Sequence, residues 1–331
     1  MKKLTLIAAF FLTASLAFCE KITILSYNIA HNSSYKKEHY EEWMEGIGEI
    51  VRQNEADIVL LQEVPIAMKK GFVTRFYGDV ELHFKLPQKK TILDDIAREL
   101  GPGWKSISTA FYLLHDGVTI DGTAFSGGDM SQNNAIFYNS QKVSAEDLSD
   151  PLGFTIFPEC DYRFNKNNVQ AARFTSGEST FILVNVHLQS KNSIEKRDRD
   201  LLTLADMLLN EFGGEISDEP VIAGGDFNTR RKEFASLDFE SYVIDGKSSP
   251  KTTLSIRDSG FAYANDYDHF VYNPAMAEKV RTPTVRARIG NAGRNLEKAS
   301  SVIIAGVECT SSKELRNRLS DHVPIMIVVE F

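Results

Sequence analysis

Residues 221–229 read VIAGGDFNT. Val221, Ile222 and Ala223 form a short apolar run of strand character, and two glycines then lead to Asp226 and Asn228. A segment that starts as buried strand and ends in a carboxylate and a carboxamide reads as a core strand with a functional tip. Residues two apart on an extended segment face the same way, so Asp226 and Asn228 are expected to project together. Gly224 and Gly225 are expected to permit close backbone approach where a side chain would crowd a cleft.

The same construction recurs along the chain. Apolar runs of strand character occupy Lys21–Tyr27, Asp57–Leu61, Ala135–Tyr138, Phe181–Leu188, His269–Tyr272 and Pro324–Phe331. Between them, Trp43, Ile47, Ile50 and Val51 recur at helical spacing, as do Leu201, Leu204, Ala205 and Leu208. Polar residues gather at the strand ends. ITILSYN ends in Asn28, DIVLLQE in Glu63 and FILVNVH in His187, while NDYDHF carries Asp268 into a strand. LSDHVPI sets Asp321 and His322 just before the last strand. One such residue is an ordinary turn or packing residue; six repetitions describe a cleft shared by several strand ends. Strands and helices alternate without a linker or repeat, which predicts a single α/β domain over 20–331.

A chain of 331 residues with 43% hydrophobic content supports a large core, though length alone leaves one or two domains open. Residues 1–19 differ from the rest. Met1-Lys-Lys precedes an apolar run from Leu4 to Phe18, and Glu20-Lys21 restores polarity. The run is short for a bilayer span and reads as a removable signal peptide, so export to the periplasm or medium is expected. A lipid anchor at Cys19 ranks behind, because Phe18 is bulky where a lipobox wants a small residue. Cys160 and Cys309 would then remain, compatible with one disulfide or with two buried thiols.

The strand-end inventory is carboxylates, carboxamides and two histidines. No serine or cysteine elbow and no glycine-rich phosphate loop accompanies it. Hard oxygen donors suit Mg²⁺, with Mn²⁺ or Ca²⁺ as alternatives, and histidines move protons near neutral pH. Together they fit hydrolysis of a phosphate ester. The stretches SYNIA, DIVLLQEV, VNVHLQS, GGDFNT, YDHFVY and SDHVPI, in that order, resemble the endonuclease/exonuclease/phosphatase superfamily, nearest its deoxyribonuclease I-like branch. The resemblance implies two stacked mixed β-sheets flanked by helices, a four-layer sandwich with the site at one edge. It implies metal ligation by Asn28, Glu63 and Asp321. It also implies catalytic roles for His187, Asp226, Asn228, Asp268 and His322, with Asp268 orienting His322. Asn185 is expected to support the site, and Asp57, at the opposite strand end, to be structural.

The resemblance implies a DNA endonuclease, with a sphingomyelinase-like phospholipid phosphodiesterase or a phosphatase as alternatives. A net charge of −8 does not favour nucleic acid, but the segment from Lys279 to Arg318 holds nine basic residues against Glu297, Glu308 and Glu314. Arg230, Arg316 and Arg318 are the candidate substrate contacts, and a solvated face is the competing reading. Pro65 follows QEV where the branch carries arginine, and Gln132, Asn133 and Asn134 stand where it carries a glutamate partner for a histidine. His187 is therefore expected to lack a carboxylate partner, and Ala110–Met130 to be added material near the site. An inert binding protein on this fold is disfavoured, because clustered acidic groups without a task are costly. No stable protein partner is implied, and a monomer is expected.

Overall fold

The computed structural model describes residues 20–29, 38–65, 91–108, 134–148, 169–188, 201–202, 204, 219–233 and 250–331 with side chains, and the backbone of short strands between them. The expected signal peptide, Cys160 and most of Ala110–Met130 lie outside the described residues. Cys309 is a buried free thiol. Among the described residues, no helix is long and apolar enough to cross a membrane.

Strand β1 (Lys21–Asn28) is followed by helix α1 (Tyr40–Gln53), β2 (Ile58–Val64), helix α2 (Ile92–Leu100), β3 (Trp104–Ser108), β4 (Asn133–Asn139) and β5 (Ser144–Asp147). Next come β6 (Val169–Ser176), β7 (Ser179–His187), β8 (Val221–Asp226), β9 (Val243–Ile244) and β10 (Asp268–Tyr272). The chain closes with β11 (Val280–Arg286), helix α3 (Ser312–Arg318) and β12 (Ile325–Glu330). Two six-stranded sheets result, in the orders β11-β12-β1-β2-β4-β3 and β5-β6-β7-β8-β10-β9. Both are mixed: β1/β2 and β7/β8 pair in parallel, whereas β1/β12 and β8/β10 are antiparallel.

Alternation along the strands makes three apolar layers. Ile22, Ile24, Ile58 and Leu60 meet Phe174, Phe181, Leu183 and Phe270 between the sheets. Phe174 and Phe181 stack there at 5.6 Å, and burial stabilises each ring by about 2–3 kcal/mol. Leu25, Tyr27 and Val59 point the other way, onto Trp43, Ile47 and Ile50 of α1. On the far side, Leu201 and Leu204 cover Val184, Val186 and Val221. Helix, sheet, sheet and helix are therefore the layers, as expected.

The mixed pairing decides where the site lies. Parallel strands β1, β2, β7 and β8 finish at one edge, and antiparallel β10 and β12 begin there. Asp57 marks the opposite edge, where it accepts from the Thr23 amide (2.9 Å) and pairs with Lys142 (2.6 Å). Its structural reading holds.

Candidate active site

Strand β8 reaches this edge through two glycines whose surroundings leave no room for a side chain. A Cβ on Gly225, at φ +154°, would lie 1.9 Å from the Val186 carbonyl oxygen of β7. One on Gly224 would lie 2.4 Å from the Phe270 ring. The demand therefore comes from the neighbouring backbone and the inter-sheet core, not from crowding in the cleft. The alternation expected for Asp226 and Asn228 also fails beyond the strand. β8 stops at Asp226, and Asn228 adopts φ +49°. The Asn228 amide donates to Asp226 Oδ1 (2.8 Å), and its Nδ2 donates to the Leu188 carbonyl (2.9 Å). A turn closed on the carboxylate, rather than strand pitch, brings the pair together.

Asp226 is the centre of the cluster. Its Oδ2 accepts from Asn28 Nδ2 at 3.1 Å, and the same amide nitrogen donates to Glu63 Oε1 at 3.1 Å. His187 Nε2 stands 3.8 Å from Glu63 Oε1 and 3.9 Å from Asp226 Oδ2. His322 Nε2 lies 3.5 Å from Asp226 Oδ2, while its Nδ1 donates to Asp268 Oδ2 at 2.8 Å. Register explains the crowding, since His187, Asp226 and Asp268 face one another across three adjacent strands. Asn28, Glu63, His187, Asp226, Asn228, Asp268 and His322 are thus brought together. Among the described residues, His187 meets carboxylates only beyond hydrogen-bond reach, and Asn134 donates to the Asn185 carbonyl (3.3 Å).

Electrostatics follow from burial and charge. Burial pushes the Asp226 carboxyl up to about 6, against the pull of His322 and with a further push from Asp268. Burial opposes charge on His322 too, but the Asp268 and Asp226 carboxylates outweigh it and raise the imidazole well above its ordinary value. His322 is therefore an imidazolium at neutral pH, held by Asp268 with its Nε2–H toward the cleft.

Glu63 owes its position to a break in β2. Pairing with β4 slips between Leu61 and Val64, and Glu63 sits at φ +56°, where a side chain costs about 1–2 kcal/mol. A residue of the other sheet supports the break. Asn185 Nδ2 donates to the Leu61 carbonyl (3.0 Å) and the Ala135 carbonyl (3.2 Å), and its Oδ1 accepts from Gln62 (2.7 Å). Asn185 therefore supports the site, as expected, without facing the cleft.

Several supporting residues escaped the sequence reading. Ser320 Oγ donates to the Asn28 carbonyl (2.5 Å) and accepts from the His322 amide (3.0 Å), fastening β1 to the SDH turn. Thr252 Oγ1 accepts from the amides of Tyr267 (3.3 Å) and Asp268 (3.2 Å). His269 donates to the Thr229 carbonyl (2.8 Å) and so holds the turn after Asn228. Ser320 lies inside a quoted motif; Thr252 had no signal at all.

Asp321 is more open than the rest, and Arg316 meets it at 3.4 Å while donating to the Leu254 carbonyl at 2.7 Å. Arg318 pairs with Glu42 of α1 (3.2 Å), and Arg230 donates to Asn265 (2.8 Å). Of the three candidate substrate arginines, Arg316 is thus the one tied to a residue of the SDH motif.

The residue types suit a hard divalent cation: the Glu63 carboxylate lies beside the Asn28 carboxamide, while the partly exposed Asp321 carboxylate meets Arg316. Asp226, Asp268 and His322 also lie close enough to hold an ion, with ligand atoms within 4.8 Å of one another.

Comparison with known proteins gives one family and one fold. The model of the endonuclease/exonuclease/phosphatase family matches residues 25–322. No curated protein sequence matches the chain significantly. Humanized D. rerio TDP2 carrying 14 mutations superposes with a TM-score of 0.55 at 14% identity, over 94% of this chain and 99% of that one. An endonuclease/exonuclease/phosphatase family protein from Bacteroides thetaiotaomicron gives 0.53 at 15% identity, over 95% and 98%. D. rerio TDP2 complexed with single-strand DNA product gives 0.51 at 13% identity, over 94% and 100%.

Proposed function

The chain belongs to the endonuclease/exonuclease/phosphatase family, and from that membership we propose a divalent-metal-dependent phosphodiesterase acting on nucleic acid, with DNA as the preferred substrate. The observation that carries this reading is the convergence of Asn28, His187 and His322 on one buried Asp226 oxygen, with Glu63 alongside. Glu63, Asn28 and Asp321 would hold Mg²⁺, which supplies charge neutralisation for the phosphoryl oxygens. The Asp226/Asp268/His322 trio suits proton handling better, because a hydrogen bond already joins His322 to Asp268.

The protein groups divide the remaining work. The His322 imidazolium, oriented by Asp268, donates to a non-bridging phosphoryl oxygen and stabilises its growing charge. Asp226 accepts a proton from the attacking water, for which its raised basicity fits it. As the new oxygen–phosphorus bond forms, the bond to the leaving ester oxygen breaks, and that oxygen, contacted by His187, takes up a proton from solvent. Asn228 fixes the carboxylate through its backbone amide.

The finer identity rests on several supports. The DNA product bound by D. rerio TDP2 supports nucleic acid as the substrate class. Phospholipid is less favoured: the stretch Ser301–Val307 exposes Ile303 but buries Val302 and Ile304, which is little for a membrane-entering loop. Residues 1–19 support export, followed by one catalytic domain over 20–331. The first experiment sets the purified chain, with Mg²⁺ or EDTA, against plasmid DNA, RNA and sphingomyelin. Mg²⁺-dependent plasmid nicking that His322→Ala abolishes is expected; hydrolysis of sphingomyelin alone would replace the substrate assignment.

A further inference from the structure

Far from the catalytic edge, at the start of β1, a pocket of about 330 Å³ opens on the outer face of the first sheet. The end of α1 forms one wall, and Lys21, Arg288 and Arg294 supply its charge. Among the described residues of the lining, Glu55 is the one carboxylate, so three cations against one anion leave a net charge of +2. Lys21 lies seven residues from Asn28 along an extended strand, about 23 Å at 3.3 Å per residue. The two sites cannot share a phosphate.

Arg288 and Arg294 differ from four other cations of the basic segment. Arg281 pairs with Glu330 (2.6 Å), Lys313 with Asp258 (2.7 Å) and Arg318 with Glu42 (3.2 Å), and Arg286 stacks 4.0 Å over Tyr263. Among the described residues, Lys21, Arg288 and Arg294 have no carboxylate within ion-pair distance. The pocket is also built rather than incidental. The Asn54 side chain accepts from the Arg288 amide (2.8 Å) and donates to the Arg288 carbonyl (3.0 Å), fixing the backbone beneath that guanidinium. Arg294 rests one nitrogen 3.6 Å from the Met326 sulfur, a weak acceptor that an anion would readily replace. Two guanidinia and an ammonium around one concavity repel one another until a multiply charged oxyanion joins them.

We propose that this pocket binds a phosphate-bearing ligand. The shared chemistry has two sources, a free phosphate monoester of nucleotide size or a phosphate of a polynucleotide whose cleaved bond lies at the catalytic edge. The volume admits either.

Calorimetric titration of the full chain in EDTA, with inorganic phosphate, a nucleoside 5′-monophosphate and the matching nucleoside, tests the proposal without requiring activity. Wild type and Arg281→Gln are expected to bind phosphate and monophosphate saturably and to ignore the nucleoside. The R288Q/R294Q variant should bind at least about tenfold more weakly, with an unchanged melting temperature because both guanidinia are exposed. A raised KM for a long oligonucleotide in R288Q/R294Q, with unchanged hydrolysis of a dinucleotide, would identify the polynucleotide as the source. Unchanged KM for both, with phosphate binding weakened, would identify the monoester. Absence of saturable phosphate binding to wild type, or equal affinity in R288Q/R294Q, overturns the proposal whatever the catalytic activity proves to be.

Discussion

At Asp226, a carboxylate that is 1% exposed is surrounded by an amide nitrogen and two imidazoles. Such a group is costly unless its neighbours compensate it, and the compensation depends on His322 keeping its charge. Asp268 is what keeps it. Asp268→Asn retains the shape but removes that charge, so kcat is expected to fall by about 10²–10⁴-fold with KM little changed. Steady-state kinetics on a defined phosphodiester would check this. His269 makes a separate prediction. Burial lowers its basicity in the folded chain, so the unfolded chain binds the proton more readily. Its contribution to stability is therefore complete above the ordinary value of 6.5 and is lost as pH falls below it. In denaturant unfolding at a series of pH values, His269→Gln should flatten the acid limb. An unaltered acid limb would remove His269 from the account.

Among the elements, β2 bears most on the proposed function because its break positions Glu63. The Leu61 and Ala135 carbonyls depend on Asn185, which belongs to the opposite sheet. Asn185→Leu should destabilise the fold by about 2 kcal/mol through the orphaned carbonyls. It should also raise the Mg²⁺ concentration for half-maximal activity, because Glu63 would lose its fixed orientation. A stability loss with an unchanged Mg²⁺ requirement would confine Asn185 to packing. Element-level legibility was uneven for physical reasons. Strands β1, β2, β7, β8, β10 and β12 were readable, since both faces are buried and their apolar runs are continuous. β11 carries Arg281, Thr282, Pro283 and Arg286 on a half-exposed edge, so no apolar pattern marks it. α3 is a single seven-residue stretch with one buried leucine. The strained backbone at Glu63 and the turn at Asn228 arise from tertiary contacts, and local pattern carries no sign of them.

For the whole molecule, stacking two mixed sheets is what turns separate motifs into one site. The fold and the membership of the cluster were legible because Asn28, His187, Asp226 and Asp268 end or begin a strand at the same edge and Glu63, Asn228 and His322 lie within three residues of a strand end. The network behind them, Ser320 to Asn28, Thr252 to Asp268 and Asn185 to β2, joins residues distant in sequence and was not. Of the basic segment from Lys279 to Arg318, the structure ties Arg281, Lys313, Arg316 and Arg318 into ion pairs. It leaves Arg288 and Arg294 to a pocket on the outer face of the first sheet. Charge summed along the sequence therefore describes the surface poorly. The proposed metal-dependent phosphodiesterase centre at the strand ends is tested by the initial rate of Mg²⁺-dependent hydrolysis of a fluorogenic oligodeoxynucleotide. Wild type should cleave it with Mg²⁺ and not with EDTA, and Glu63→Gln and His322→Ala should each lose about 10²-fold or more. Cleavage that persists in EDTA, or in both variants at the wild-type rate, would exclude such a centre.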